Sequence, residues 1–216
     1  MEDTSRTKQL LMLLSEAEDY ISVKPSRTIA LLRNERDLAQ LKPQDQIRWH
    51  IANIRASVAT SQVKVLESTI EKVLAFNKHP YFEKRLTSIL SGMGIWLRKS
   101  GYLEAAQLCF LCAQNYTLDN RSLVIILISL AIVSRHLDHI ETAISNYRKA
   151  QKLASKHDMT GLLGTIENNL GIIALEQNNL VVAEKHFRSA MALNQKISKR
   201  SGHIISGINL LQVFLI

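Results

Sequence analysis

Cysteine, proline and aromatic residues are all scarce in this chain of 216 residues, which has two cysteines, three prolines and 6% Phe, Trp and Tyr. Two cysteines are too few for a small secreted scaffold held together by disulfides. Cys109 and Cys112 are three positions apart within a predicted helix, where a bridge between them would be strained. We therefore expect two buried free thiols.

Long apolar segments and an export signal are also missing. The longest apolar stretch, residues 123–133, is far shorter than the roughly twenty residues that a membrane-spanning helix needs, so it predicts a buried helix. The N-terminus carries acidic residues where a signal peptide needs basic ones. The two free thiols and the missing signal favour the cytoplasm, with a periplasmic sensor domain whose export signal has been removed as the alternative.

Motifs for catalysis and for binding nucleotides or metals are lacking as well. The segment GMGIWLRKSG has neither the preceding strand nor the Gly-Lys-Ser/Thr spacing of a phosphate loop. The seven histidines form no HExxH set, and His136 and His139 are interpreted as solvated turn residues. Ser201 and His203 lie at a predicted helix start, without the geometry of a nucleophile and its base. We expect no enzyme activity, no cofactor and no metal.

The composition that is present predicts an ordered chain with acidic partners. Hydrophobic residues make up 46% of the sequence and charged residues 21%, enough apolar content to offset the entropy of folding. The net charge of +8 attracts acidic protein, nucleic acid or anionic lipid, and leaves the choice among them open.

Three windows of 27 residues, beginning at Thr87, Val124 and Gly164, share a pattern of small and aromatic residues. Position 8 is small (Gly94, Ala131 and Gly171), and position 20 is alanine (Ala106, Ala143 and Ala183). Position 24 is aromatic (Phe110, Tyr147 and Phe187), and position 27 is again alanine (Ala113, Ala150 and Ala190). A weaker fourth copy is aligned from Trp49, with Ala56, Ser68 and Ala75 at the small positions and Lys72 in place of the aromatic residue.

This pattern predicts antiparallel helix pairs in close contact. Glycine within a helix costs about 1 kcal/mol relative to alanine, so Gly94 and Gly171 indicate that a neighbouring side chain needs the space. Gly101 and Asn178 are expected to be left-handed residues between the two helices of a pair. The eleven predicted helices are 5–22, 26–40, 44–60, 62–77, 82–99, 102–117, 121–136, 139–155, 160–177, 180–197 and 201–216.

These windows resemble tetratricopeptide repeats (TPR), specifically over 82–200 and more loosely over the degenerate pairs of 1–81. The resemblance implies one all-α domain over 1–216, a right-handed superhelical solenoid of about eleven helices, in which 201–216 is the first helix of a truncated further repeat. The spacing exceeds the family's usual period of about 34 residues, and Leu97, Ser134 and Ala174 replace its Tyr at position 11. Longer repeats of this kind are similar to sensory and regulatory domains of bacterial signalling proteins.

The resemblance also implies a concave binding face built mainly by the first helix of each pair. The predicted partner-binding residues are Asn53, Arg98, Lys99, Arg135, His136, Asn168 and Asn209. The predicted apolar floor is Ile95, Ile125, Ile128, Ile132 and Ile172. Asn53, Asn168 and Asn209 are assigned to the same position 5 of the repeat and are expected to grip a peptide backbone, and the cations are expected to form a rim for acidic groups. Tolerated surface amides and solvated charges are the alternatives.

The resulting prediction is a non-catalytic module that binds a protein or peptide, possibly acidic, as a sensory or regulatory fragment of a larger protein. A basic nucleic-acid-binding array and a small-ligand sensor are the alternatives. Nucleic acid is disfavoured because Phe110, Tyr147 and Phe187 are assigned to the core rather than to base stacking. The apolar end VFLI predicts that the array and an effector domain continue beyond Ile216, with burial in a homodimer as the alternative.

Overall fold

The described chain is helical throughout. The computed structural model describes residues 2–34 and 37–215, with side chains from Ser5 onward, and over those residues it contains no strand. The predicted all-α class is therefore confirmed. The α-helices within those residues are α1 (Glu2–Tyr20), α2 (Pro25–Leu31), α3 (Pro43–Thr60), α4 (Val63–Leu74), α5 (Pro80–Glu83), α6 (Leu86–Lys99), α7 (Leu103–Asn115), α8 (Asn120–His136), α9 (Ile140–Lys156), α10 (Thr160–Glu176), α11 (Leu180–Lys196) and α12 (Arg200–Leu215).

The chain divides into two compact units, Met1–Tyr116 and Thr117–Ile216, called unit 1 and unit 2. Unit 1 contains α1 to α7 and unit 2 contains α8 to α12. The expectation of one continuous solenoid over 1–216 stays a prediction.

Unit 2 repeats one helix and one turn every twenty residues. Helices α8 to α11 are each 17 residues long, and three-residue turns join them. The middle residue of each turn has positive φ, at positions 138, 158, 178 and 198. After each of them a backbone N–H donates to the carbonyl five residues earlier, as from Asn179 to Ala174 at 2.8 Å, which ends the helix with a Schellman-type bond. The left-handed residue expected at Asn178 is confirmed, with φ of 58°.

The small residues of the repeat lie where paired helices touch. In unit 2 the alanines at positions 20 and 27 and the aromatic residues at position 24 have no exposed surface. A Cβ placed on Gly171 of α10 would lie 2.6 Å from Cε1 of Phe187 in α11. In unit 1 a Cβ on Gly94 of α6 would lie 2.7 Å from Cε1 of Phe110 in α7. Both glycines are therefore packing devices, as predicted.

The fourth, degenerate copy lies in a different register from the predicted one. Its left-handed turn residue is Ser61, and aligning this residue with Gly101 begins the window at Ile47 instead of Trp49. Two positions predicted to be small and buried are exposed: Ser68 on α4 and Ala75 just after its end. The residues that the corrected register brings to positions 8, 20, 24 and 27 are all buried: Ile54, Leu66, Ile70 and Val73. Large aliphatic residues thus replace the small and aromatic pattern.

Two predicted helices of unit 1 are also wrong in extent. The predicted helix 26–40 ends at Leu31, where the indole Nε1 of Trp49 donates to the Leu32 carbonyl at 3.2 Å, and residues 35–36 lie outside the described chain. A 3₁₀ turn follows at Leu38–Gln40. The predicted helix 82–99 is divided into α5 and α6, which raises the number of described α-helices to twelve.

The exposure of the two cysteines also corrects the sequence analysis. Both thiols are free, but Cys112 is exposed and Cys109 is half-buried. Helix α7 buries the face of Ala106, Phe110 and Ala113 against its neighbour, which turns the cysteines away from the core. Among the described residues, none of the helices combines the length and the apolarity needed to cross a bilayer.

Candidate functional site

The predicted binding residues fall in both units, so the structure groups them in two sets. Asn53, Ile95, Arg98 and Lys99 belong to unit 1. The predicted residues of unit 2 lie on its first helices α8, α10 and α12, where α10 contacts both of the others: Ile125, Ile128, Ile132, Arg135, His136, Asn168, Ile172 and Asn209.

The side-chain amides of Asn168 and Asn209 form a pair across α10 and α12. Nδ2 of Asn209 donates to Oδ1 of Asn168 at 3.1 Å, and both residues are half-buried. This hydrogen bond does not use Nδ2 of Asn168 or Oδ1 of Asn209. The first can donate to, and the second can accept from, a group on a bound partner. The sequence analysis treated these asparagines as separate grips, whereas the structure joins them into one hydrogen-bonding unit.

The expectation that three asparagines share position 5 of the repeat is wrong. Ser206 and Val213 of α12 are buried in the same way as Ile166 and Ile173 of α10, so the two helices align at an offset of 40 residues. Asn209 is therefore equivalent to Asn169, and it reaches Asn168 from the next position on its helix.

Asn53 also lies outside position 5. The corrected window from Ile47 places it at position 7, on α3. It is 4% exposed, and it lines a cleft in unit 1 together with residues of α2 and α4. This asparagine therefore belongs to a different surface from the amide pair of unit 2.

Arg135 is engaged in an ion pair and does not contribute an unpaired charge to a basic rim. Its Nη1 donates to a carboxylate oxygen of Glu176 at the end of α10, and its Nη2 is 3.0 Å from Nε2 of His136. The Arg135 side chain is only 16% exposed, whereas that of Glu176 is 47% exposed. The pair links α8 to α10 and neutralises the charge that the sequence assigned to ligand binding.

The predicted apolar floor is only partly open. Ile125 is 38% exposed, and Ile132 and Ile172 are half-buried against neighbouring core residues. Ile128 is 6% exposed and belongs to the hydrophobic core of unit 2, so it cannot form a groove surface. In unit 1, Ile95 is half-buried on α6.

Arg98 and Lys99 end helix α6 of unit 1, where Arg98 is half-buried and Lys99 is exposed, although its ammonium group is partly desolvated. Burial lowers the pKa of the Lys99 ammonium, and the neighbouring charge of Arg98 lowers it further. Two adjacent cations at a helix C-terminus interact favourably with the helix dipole, which is one reason for their position.

A small crevice beside Asn168 was not foreseen from the sequence. It has a volume of about 150 Å³ and lies between α10 and α12, with Lys199, Ile205 and Ser206 among its lining residues. Asn194 of α11 reaches into this region because Gly164 and Gly202 leave room for it: a Cβ on Gly202 would lie 2.5 Å from Oδ1 of Asn194. The facing glycines are the sequence signal that could have revealed the crevice.

The structure shows no cluster of metal-binding side chains among the residues that it describes. Within residues 2–34 and 37–215, no group of three or more His, Cys, Asp or Glu side chains is placed to hold an ion. His136 contacts Arg135, and His139 is exposed in the turn between α8 and α9.

Solved structures of TPR-containing proteins are similar to nearly the whole chain. The crystal structure of BtubC (BKLC) from P. vanneervenii matches with a TM-score of 0.62 and 17% identity, covering 95% of this chain and 83% of that chain. PilF of Pseudomonas aeruginosa matches with a TM-score of 0.59 and 15% identity, covering 97% and 94%. The apo form of RapI matches with a TM-score of 0.51 and 12% identity, covering 95% and 70%.

These matches establish the fold as a TPR-like helical repeat. No protein-family model and no curated protein matches the sequence. At these identities the likeness to solved structures concerns the fold alone.

Proposed function

We propose that this chain is a non-catalytic protein-interaction module that binds an extended peptide segment on the surface formed by α10 and α12. The observation that carries this proposal is the amide pair of Asn168 and Asn209. Its remaining donor and acceptor complement the carbonyl and N–H of one main-chain peptide unit. Contacts of this kind provide affinity while leaving the side-chain sequence of the peptide to be read elsewhere.

The crevice beside the amide pair supplies the second element of recognition. Asn168 lines the crevice, and Ile205, which is 54% exposed, forms an apolar part of its wall. A peptide held by its backbone at the amide pair would place a neighbouring side chain in this crevice. We expect the specificity of the module to come from that side chain.

An acidic segment is the favoured partner on grounds of charge. Lys199 lines the crevice and is exposed, and the chain as a whole carries a net charge of +8. Attraction of this kind mainly speeds association with acidic surfaces. The aromatic residues of the repeat, Phe110, Tyr147 and Phe187, have no exposed surface and so cannot stack on the bases of a nucleic acid.

A sensory or regulatory role in a larger signalling protein belongs to the same proposal. Its support is the long helical repeat, which is similar in spacing to the regulatory domains of bacterial signalling proteins. In such a role the bound peptide is the signal, and the module needs no catalytic residues of its own.

The test uses random twelve-residue peptides displayed on phage and selected on the full chain. Affinity of the best peptide is then measured by fluorescence anisotropy for Asn168→Ala/Asn209→Ala and for Asn146→Ala, a half-exposed amide on α9 that serves as the matched control. We expect the double variant to bind about tenfold more weakly or worse, because hydrogen bonds to a main-chain unit are lost, and the control to match the parent.

A second arm tests backbone recognition directly. Peptides methylated at one backbone nitrogen at a time should lose binding at the single unit that pairs with the amides, while side-chain changes at that unit should have little effect. Circular dichroism verifies that the variants are folded. Equal affinity of the double variant and the parent would refute the proposed surface.

A further inference from the structure

The crevice between α10 and α12 has a polar interior that backbone recognition by the amide pair does not explain. Among the described residues, two buried oxygen atoms of its lining side chains have no hydrogen-bond partner, Oδ1 of Asn194 and Oγ of Ser206. Asn194 is 3% exposed and Ser206 is 1% exposed. Buried polar atoms without a partner are costly and rare, so these two indicate that another group completes their hydrogen bonds.

Comparison with the preceding repeat shows that the polar lining replaces an apolar layer. Helices α10 to α12 align with α8 to α10 at an offset of 40 residues. At this offset the layer consists of four apolar residues of the unit 2 core: Val124, Ala154, Leu162 and Ile166. The residues in their places at the crevice are Gly164, Asn194, Gly202 and Ser206. Two side chains are thus removed and two become polar, a departure from an apolar core that is typical of functional sites.

The orientation of the Asn194 amide is fixed by its own helix. Its Nδ2 donates to the Ala190 carbonyl at 2.8 Å, which leaves Oδ1 as the unpaired atom. Gly164 and Gly202 both make room for this atom, since an added Cβ would lie 3.1 Å from it on Gly164 and 2.5 Å on Gly202. A group that enters the crevice must therefore bring a hydrogen-bond donor to Oδ1.

The two unpaired oxygens together favour a primary carboxamide. The Ser206 hydroxyl can donate to a carbonyl oxygen, while Oδ1 of Asn194 can only accept, so the N–H and C=O groups of one carboxamide satisfy both. A carboxylate has no donor and would place its negative charge against Oδ1. An ammonium group would be buried without a counter-ion, because no carboxylate is among the described lining residues.

The size of the crevice suits a single side chain. Its volume of about 150 Å³ is well below the range of about 300–1,000 Å³ that is typical of sites for whole small molecules. Residues 199–201, at the start of α12, are exposed. A small outward movement of this turn gives an entering side chain access to the two buried oxygens.

We propose that the crevice selects a primary carboxamide, the side chain of an asparagine or a glutamine, in the bound peptide. Its N–H donates to Oδ1 of Asn194, and its carbonyl oxygen accepts from the Ser206 hydroxyl. This inference rests on the proposed function, in which Asn168 and Asn209 hold the peptide backbone beside the crevice. Lys199 is exposed at the crevice and attracts acidic residues that flank the carboxamide.

The first test uses small probes and needs no peptide. Acetamide and propionamide reproduce the ends of the asparagine and glutamine side chains, and they are titrated into the isotope-labelled chain at up to about 50 mM while NMR follows the backbone amides of Gly164 and Gly202. Butanone has the shape of propionamide without its N–H groups, and propionate is the charged counterpart.

We expect saturable shifts with at least one amide, and binding of butanone and propionate that is weaker by about tenfold or more. Preference for acetamide or for propionamide distinguishes asparagine from glutamine as the selected residue. No saturable shift with either amide, or equal binding of butanone, would overturn the proposal.

Two serine substitutions locate the binding group. Ser206→Ala removes the hydroxyl at the crevice. Ser134→Ala is the matched control, because Ser134 is 1% exposed in unit 2, its Oγ also lacks a partner in the described chain, and it is not part of the crevice lining. The first should weaken amide binding about tenfold, and the second should leave it within about twofold. Equal effects of the two substitutions would contradict the assignment of Ser206.

A variant with a refilled crevice provides an independent check. Asn194→Ala/Gly202→Leu/Ser206→Ile restores three residues of the apolar layer of the preceding repeat. It should raise Tm in the absence of a probe and abolish amide binding, since the space and both oxygens are removed. Retained amide binding by this variant, once circular dichroism shows it to be folded, would overturn the proposal.

The peptide selected on phage completes the test. When each of its residues is replaced in turn, one position should prefer asparagine or glutamine over the corresponding acid by about tenfold or more in the parent chain, and much less in Ser206→Ala. Peptide binding that depends on Asn168 and Asn209 but shows no such position would overturn this proposal and leave the peptide surface intact. Amide binding without any selected peptide would support the crevice and refute the peptide surface.

Discussion

A methyl group added at Gly171 would collide with the ring of Phe187. The Cβ of alanine would lie 2.6 Å from Cε1 and 2.7 Å from Cδ1, whereas an ordinary contact between carbon atoms is about 3.5–4.0 Å. Phe187 has no exposed surface and cannot move outward without opening the core. Gly171→Ala therefore forces α10 and α11 apart or drives the ring from its preferred rotamer.

Two opposing terms set the size of the effect. Replacing glycine by alanine within a helix gains about 1 kcal/mol in helix propensity. Overpacking a well-filled core costs about 1–3 kcal/mol. We expect a net loss of up to about 2 kcal/mol in the free energy of unfolding, or about 2–4 °C in Tm for each kcal/mol at this chain length.

The same substitution at Gly207 is the matched control. A Cβ there would lie 3.7 Å from Cε of Met191, an ordinary contact, so Gly207→Ala should gain stability by up to about 1 kcal/mol. Urea and thermal unfolding followed by circular dichroism measure both variants. In a Phe187→Leu background, Gly171→Ala should become favourable because the ring is gone. If Gly171→Ala stabilises the parent as much as Gly207→Ala does, the packing argument is wrong.

The remaining predictions concern the thiols, a helix cap and a turn. Burial raises the pKa of the Cys109 thiol, and the nearby Cys112 raises it further, so Cys109 should react with a thiol reagent more slowly and at higher pH than exposed Cys112, as mass spectrometry can show. The Asp119 carboxylate accepts from the Ser122 N–H at 2.8 Å, which lowers the pKa of Asp119. Asp119→Ala should cost about 1 kcal/mol at pH 7 and Asp119→Asn much less. Since that pKa is lowered on folding, the stabilisation is complete above the unfolded value of about 3.9 and is lost as pH falls through the folded value, so parent and Asp119→Ala unfolding curves should converge in acid. Asn178 has φ of 58°, so Asn178→Gly should leave Tm unchanged or higher, while Asn178→Val should lower it; equal Tm values would contradict the role of the turn.

The repeat pattern was predictable because close helix contact has few solutions. A bulky ring packed between two helices requires a residue without a side chain opposite to it. The sequence therefore contains a glycine together with each of these rings, Gly94 with Phe110 and Gly171 with Phe187. The turns follow from the same regularity, since a helix that must reverse after 17 residues needs a left-handed residue at a fixed place. These features depend on local spacing, which a sequence shows directly.

The degenerate copy was misaligned because its two helices pack through different types of side chain from those of the clear repeats. Ile54, Leu66 and Ile70 fill the helix contact with aliphatic side chains, so no small residue marks the register. Ala56 is also fully buried, as half of the residues of α3 are, which made the wrong register plausible. Only the left-handed turn at Ser61 fixes the alignment, and a serine in that position has no clear sequence signal.

The site residues were less predictable than the fold because their roles depend on partners distant in sequence. Arg135 is neutralised by Glu176, which is 41 positions away, and Asn209 reaches Asn168 over the same separation. Position in a repeat indicates which residues lie on a face. It does not indicate whether a charge there is paired with the next helix.

The irregular part of the array leaves a cleft open in unit 1. A regular succession of 17-residue helices fills the space between alternate helices, as the contacts of Glu167 with Gln151 and His186 illustrate in unit 2. The short α2 breaks that succession, and the polar floor at Asn53 becomes accessible as a result. A regular helix at this place would cover the cleft between α2 and α4, so the loss of periodicity that weakened the sequence pattern also leaves this cleft open.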